Sequence, residues 1–105
     1  MRSPLQSAVR VAALQLEVPD AESKAERLRR VTSMIDELAE VDLILLPEIW
    51  NVGYFGFDRY TADAEDLHGP TATAMAEAAR RKKAYLLAGS IVERVGDDVE
   101  LDEVA

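Results

Sequence analysis

An α/β fold of order β-α-β-α-β with parallel strands is what this 105-residue sequence predicts. Three observations lead there. Short, near-continuous apolar runs recur at residues 8–16, 42–47 and 84–92, as expected of strands covered on both faces. Between them lie two stretches whose apolar residues repeat at helical spacing. Strands that alternate with helices pair in parallel through right-handed crossovers.

The first strand is AVRVAALQL, Ala8 to Leu16. Pro19 and Asp20 then break the pattern. Two helix starts compete: Asp20 as N-cap, and SKAE, Ser23 to Glu26, as a capping box. Beyond either, Leu28, Val31, Met34, Ile35 and Leu38 form the apolar stripe. Glu26, Arg27, Arg29, Arg30, Asp36 and Glu37 lie largely between them, on a face expected to be solvated. Glu26 and Arg30 are spaced for an i,i+4 pair worth ~0.3 kcal/mol.

Asp42 to Pro47 is the second and most apolar strand. Asn51 to Asp66 reads as a mixed loop with aromatics and a short helical turn. Gly69-Pro70 opens the second helix, with Pro70 at the first helical position. Ala72, Met75, Ala76 and Ala79 give its buried stripe, and the small side chains allow close packing on a sheet. The helix ends in RRKK, Arg80 to Lys83. Cations in a last turn complement the helix dipole, and no aromatic interleaving supports a nucleic-acid reading. AYLLAGSIV, Ala84 to Val92, is the third strand.

Length and composition, 49% hydrophobic and 30% charged, suit one globular domain and exclude disorder for the chain as a whole. The net charge is −8, which argues against nucleic acid and an anionic membrane as partners. Five carboxylates crowd Gly96 to Ala105. That stretch lacks periodicity and is expected to be a disordered acidic tail. The absence of cysteine removes disulfides, Cys-ligated zinc and a thiol nucleophile together. No metal or cofactor is expected. No run approaches ~20 apolar residues, and MRSPLQSAVR lacks an apolar core of signal-peptide length, so the expected location is the cytoplasm.

One residue is out of place for a simple core. Glu48 follows Leu46-Pro47, where the buried second strand ends, and in open α/β sheets functional groups gather at the carboxyl ends of strands. Sheltered by Trp50, Tyr54 and Phe55, a carboxylate there could exchange a proton near neutral pH, as base and then as acid. The plainer alternative is a loop cap or an ion pair with Arg59. Ser90, a hydroxyl beside Gly89, lacks a base to activate it. His68 reads as a loop residue, and Thr71 and Thr73 as partners of the backbone.

The ordered set of segments resembles the N-terminal part of the nitrilase, or carbon–nitrogen hydrolase, superfamily. VRVAALQLEV, with Gln15, is similar to that family's opening strand. DLILLPEIWNVGY is similar to its first catalytic segment. HGPTATAMAEAARRKKAYLLAGSIVER is similar to its next helix and strand, so the likeness runs from about Val9 to Arg94.

The resemblance implies a partial α-β-β-α sandwich, with residues 1–95 an incomplete N-terminal part of the domain. It implies chemistry by a Glu, a Lys and a Cys acting on a small amide or nitrile. Glu48 matches the family's Glu. Tyr54, and below it Trp50, match the loop that contributes to the substrate pocket. The Cys is missing, and Lys24, Lys82 and Lys83 all fall on predicted helices. The expectation is a truncated hydrolase domain, inactive alone, that self-associates or docks through its uncovered sheet. The rival expectation is a non-catalytic regulatory or binding module that associates with a full-length homologue. An unrelated nucleotide-binding domain is disfavoured, because no Gly-rich phosphate loop follows Leu16.

Overall fold

A computed structural model describes residues 8–53, 55–96 and 98–103. The elements run β1 (Val11–Ala13), α1 (Lys24–Glu37), β2 (Leu43–Leu45), a 3-10 turn (Phe57–Arg59), α2 (Tyr60–Asp63), α3 (Pro70–Lys82), β3 (Tyr85–Leu87), β4 (Ser90–Val95) and β5 (Asp98–Glu103). β1, β2 and β3 form a parallel sheet in that order. The predicted β-α-β-α-β unit is therefore present.

Alternation along the strands decides what the sheet does with its two faces. Ala12, Ile44 and Leu86 are in register across the sheet and point to the helices. Together with Val31 and Ile35 of α1 and Met75 and Ala78 of α3 they belong to the main core. The in-register sets Val11–Leu43–Tyr85 and Ala13–Leu45–Leu87 take the other face. Nothing among the described residues closes over it, and Tyr85 is 81% exposed.

Between the two candidate starts of α1, the structure selects Ser23. Its hydroxyl accepts from the Glu26 N–H while the Glu26 carboxylate accepts from the Ser23 N–H. The Glu26 carboxylate thus serves the cap, and Arg30 pairs instead with Glu22, at 2.8 Å. The cap hydrogen bonds from Ser23 hold the Glu26 carboxyl below its usual range. Arg27 also departs from the solvated face expected for it, being fully buried. α3 starts at Pro70 as predicted. Its basic end reaches across to α1: Arg81 pairs with Asp36, and Lys82 donates to the Leu38 carbonyl at 2.6 Å. These are cations at a helix C-terminus, one helix serving the other.

Two further expectations need correction. The single third strand, Ala84 to Val92, is broken into β3 and β4 by Gly89, whose φ is +71°. An ideal Cβ at Gly89 would stand 1.9 Å from the Pro47 carbonyl oxygen, so the backbone can cross the end of β2 there only without a side chain. The acidic stretch expected to be disordered contributes β5, antiparallel to β4 from Ser90↔Glu103 to Val95↔Asp98. A turn at Gly96, with φ +62°, reverses the chain. Backbone pairing outweighs the crowding of charges in β5.

Candidate active site

Glu48 stands where the sequence placed it, three residues beyond β2, in a turn. Its side chain is exposed. The shelter expected from Trp50 and Phe55 is not in place. Trp50 is 1% exposed, inside the main core, and its indole N–H donates to the Ala88 carbonyl at 2.8 Å. A ring of that size gains most by burial once its single donor has a partner. Phe55 is 82% exposed and meets Phe57 edge to face. Tyr54 lies outside the described residues. Arg59, the rival partner for Glu48, donates to the Val52 carbonyl.

The turn that carries Glu48 is held on two flanks. Upstream, Pro47 lies against Gly89. The Ile49 N–H donates to both the carbonyl and the hydroxyl oxygen of Ser90, at 3.0 and 3.1 Å. Ser90 is thus a buried support of the backbone, not a free hydroxyl. Ile49 itself has φ +46°, a conformation that a β-branched residue adopts only under constraint. Strain of this kind costs ~1–3 kcal/mol and persists where the surroundings over-determine it.

Downstream, the support is ionic and buried. Arg27 donates to the carbonyls of Trp50 and Asn51, and to those of Pro19 and Glu22. Its Nε pairs with the Glu22 carboxylate at 2.9 Å. The hydrogen bond from the Arg30 guanidinium, and then that from Arg27, outweigh desolvation and hold Glu22 at about 2.

A second carboxylate, Glu65, is almost wholly buried. Lys24 approaches its Oε2 to 2.8 Å, and the Thr71 hydroxyl and Asn51 amide donate to the same oxygen at 2.6 and 3.2 Å. The Thr71 N–H donates to Oε1 at 2.8 Å, so Glu65 caps the first turn of α3. Burial pushes the Glu65 carboxyl up, but Lys24 and Thr71 more than offset this and leave it below the usual range. Asn51 Oδ1 is buried with no hydrogen-bond donor among the described residues.

None of this second layer was assigned a site role from sequence. Arg27 could have been found: it stands four residues before Val31 and eight before Ile35, on the buried stripe itself. Glu65 had no such signal. Thr71 was expected to serve the backbone and instead bonds a carboxylate through its hydroxyl. Of the lysines, Lys24 is committed to Glu65 and Lys82 to α1, while Lys83 ends α3 in a left-handed conformation. A groove of about 540 Å³ between α3 and β3 is lined by Met75, Ala79 and Leu86 among others, and Glu48 is not part of it. Among the described residues no group of three or more His, Cys, Asp or Glu is placed to hold a metal ion. No helix among them is long and apolar enough to cross a membrane.

Comparison with known proteins bears on this site. The carbon–nitrogen hydrolase family model matches residues 10–104. A 2-oxoglutaramate amidase of Paenarthrobacter nicotinovorans is 33% identical over 90 residues, which make up 86% of this chain and 31% of that protein. A chloroplastic omega-amidase of Arabidopsis thaliana is 35% identical over 81 residues, 70% of this chain and 22% of the relative. Among solved structures, a CN-hydrolase superfamily protein from Xanthomonas campestris superposes with a TM-score of 0.76 at 25% identity. The match covers 92% of this chain and 36% of that one. The chain thus spans at most about a third of the length of these relatives.

Proposed function

Since the chain belongs to the carbon–nitrogen hydrolase family, we propose that it supplies the proton-handling part of an amidase domain, with Glu48 as the general base and then the general acid. The observation that carries this reading is the placement of Glu48. It projects from a strained, doubly clamped turn at the carboxyl end of a parallel strand, with its carboxylate open to an incoming group.

In this reading Glu48 takes the proton of an attacking thiol and returns it to the nitrogen that leaves. It then takes a proton from the water that releases the acyl group. The 105 residues contain no cysteine, so the thiol is supplied from outside them and the chain by itself hydrolyses nothing. By the family match Tyr54 is assigned to the amide pocket, and Trp50, the other residue the match suggests for it, is buried in the main core. The substrate class is a small ω-amide, following the names of the relatives.

The open apolar face of the parallel sheet supports the second part of the proposal. Val11, Leu43, Tyr85 and Leu87 are the surface that a second sheet covers in an α-β-β-α sandwich. The chain on its own covers this face by self-association. Sedimentation of the isolated chain is expected to show dimers or larger species, and a compact monomer would remove this part of the reading.

The catalytic part is tested by replacing the matching 90 residues of the Paenarthrobacter amidase with this chain's residues. Ammonia release from 2-oxoglutaramate is expected to survive the exchange and to fall by roughly 10²–10⁴-fold in Glu48→Gln. Full activity in the Glu48→Gln chimera would dismiss the proposed role.

A further inference from the structure

The pair Lys24–Glu65, its carboxylate buried and its ammonium half-buried, has no part in the chemistry proposed above, yet it reaches the Glu48 turn through Asn51. Lys24 is the first residue of α1, and its ammonium also donates to the Asp63 carbonyl at 2.9 Å. The Glu65 backbone is fastened to β4: its N–H donates to Val92 O, and its carbonyl accepts from the Arg94 N–H. Its carboxylate receives α1 through Lys24, the start of α3 through Thr71, and the Glu48 turn through Asn51. Three separate pieces of chain meet on this side chain, and β4 is bound to its backbone.

Burying two opposite charges is a weak way to gain stability, because desolvation consumes most of the attraction. A packed apolar group could hold the core together equally well. Charge and fixed hydrogen-bond geometry offer direction instead. Asn51 is two residues from the strained Ile49 and three from Glu48. With its amide fixed by Glu65 and its carbonyl by Arg27, the backbone after Glu48 has little freedom to relax the strain at Ile49.

We infer that Lys24 and Glu65 are positioning residues for Glu48, acting through Asn51 to hold the catalytic turn. The inference rests on the reading of Glu48 as the proton carrier. Its test has one arm that stands apart from that reading.

The first arm is amide hydrogen exchange in the 105-residue chain. In Lys24→Met, the N–H groups of Ile49 and Gly53, which bond Ser90 O and Ile49 O, are expected to exchange at least ~10-fold faster. Those of Leu14 and Leu46, which bond across the sheet, are expected to change less than ~3-fold. Lys24→Arg, which keeps the charge, is expected to restore protection of the turn. An even rise at all four amides, or no change at Ile49 and Gly53, overturns the inference. If Lys24→Met does not fold, Thr71→Val is read by the same criterion, since it strips a hydrogen bond from the same carboxylate.

The second arm uses the amidase chimera. There Lys24→Met is expected to lower kcat by ~10-fold or more with KM unchanged, and Lys24→Arg to recover it. A rise in KM alone would overturn the positioning role. If Glu48→Gln leaves the chimera active, the catalytic reading falls, while the exchange arm still judges whether the pair orders the turn.

Discussion

The two flanks of the Glu48 turn reach the same end by different physics. Upstream, the contact between Gly89 and Pro47 is steric, and the bonds to Ser90 are made by neutral groups. Downstream, Arg27, Glu22, Lys24 and Glu65 place buried or half-buried charges around Asn51. A steric clamp depends on volume and does not sense pH. An ionic clamp tolerates small changes of volume and depends on protonation. A turn held by both kinds is over-determined, which is what keeps a β-branched residue at positive φ.

The comparison breaks most visibly at Gly89. Alanine there must displace the Pro47 carbonyl, which an ideal Cβ would approach to 1.9 Å, and it must also adopt φ near +71°. The oxygen and carbon of that carbonyl are backbone atoms, not the end of a flexible side chain. Gly89→Ala is therefore expected to cost about 3–5 kcal/mol, read as a fall in the urea midpoint. Because the clamp is steric, the loss should be the same at pH 5 and pH 8. A loss under ~1 kcal/mol would mean that the β3–β4 corner moves freely and clamps nothing.

How far the sequence disclosed this arrangement depends on the kind of interaction. The strand and helix order was legible because apolar periodicity reflects burial directly, as at Val31, Ile35 and Ile44. The Ser23–Glu26 cap was legible as one of two candidates, since capping is a local contest and both were within a turn of each other. The address of Glu48, beyond a parallel strand, followed from topology alone. What was not legible depends on tertiary partners. The face of α1 that holds Arg27 could be read from spacing, but its burial depends on carbonyls from residues 19, 22, 50 and 51. Glu65 is buried because Lys24, 41 residues away in sequence, comes to meet it. Gly89 looked like one residue of a long strand, since its φ is imposed by the Pro47 carbonyl crossing from β2. β5 is rich in carboxylates and unremarkable in isolation, and only pairing with β4 makes it a strand.

The ionic flank is probed with acid. Glu22 and Glu65 both have folded-state values below the 4.5 of a free glutamate, Glu22 at about 2. A carboxyl that is more acidic in the folded state binds fewer protons there than in the unfolded chain. Stability from both groups is therefore fully present above pH ~4.5 and is lost as pH falls below it, for Glu22 over the range from 4.5 toward 2. The urea midpoint is expected to hold steady from pH 7 to pH 5 and to decline between pH 4.5 and pH 2.5. In Glu65→Gln, and more so in the double variant with Glu22→Gln, that decline should flatten even though the midpoint at neutral pH is lower. Gly89→Ala, by contrast, should shift the whole curve down without altering its slope. If the two carboxyl variants keep the parent's acid slope, the pH sensitivity resides elsewhere, and the downstream flank holds the turn by shape, as the upstream one does.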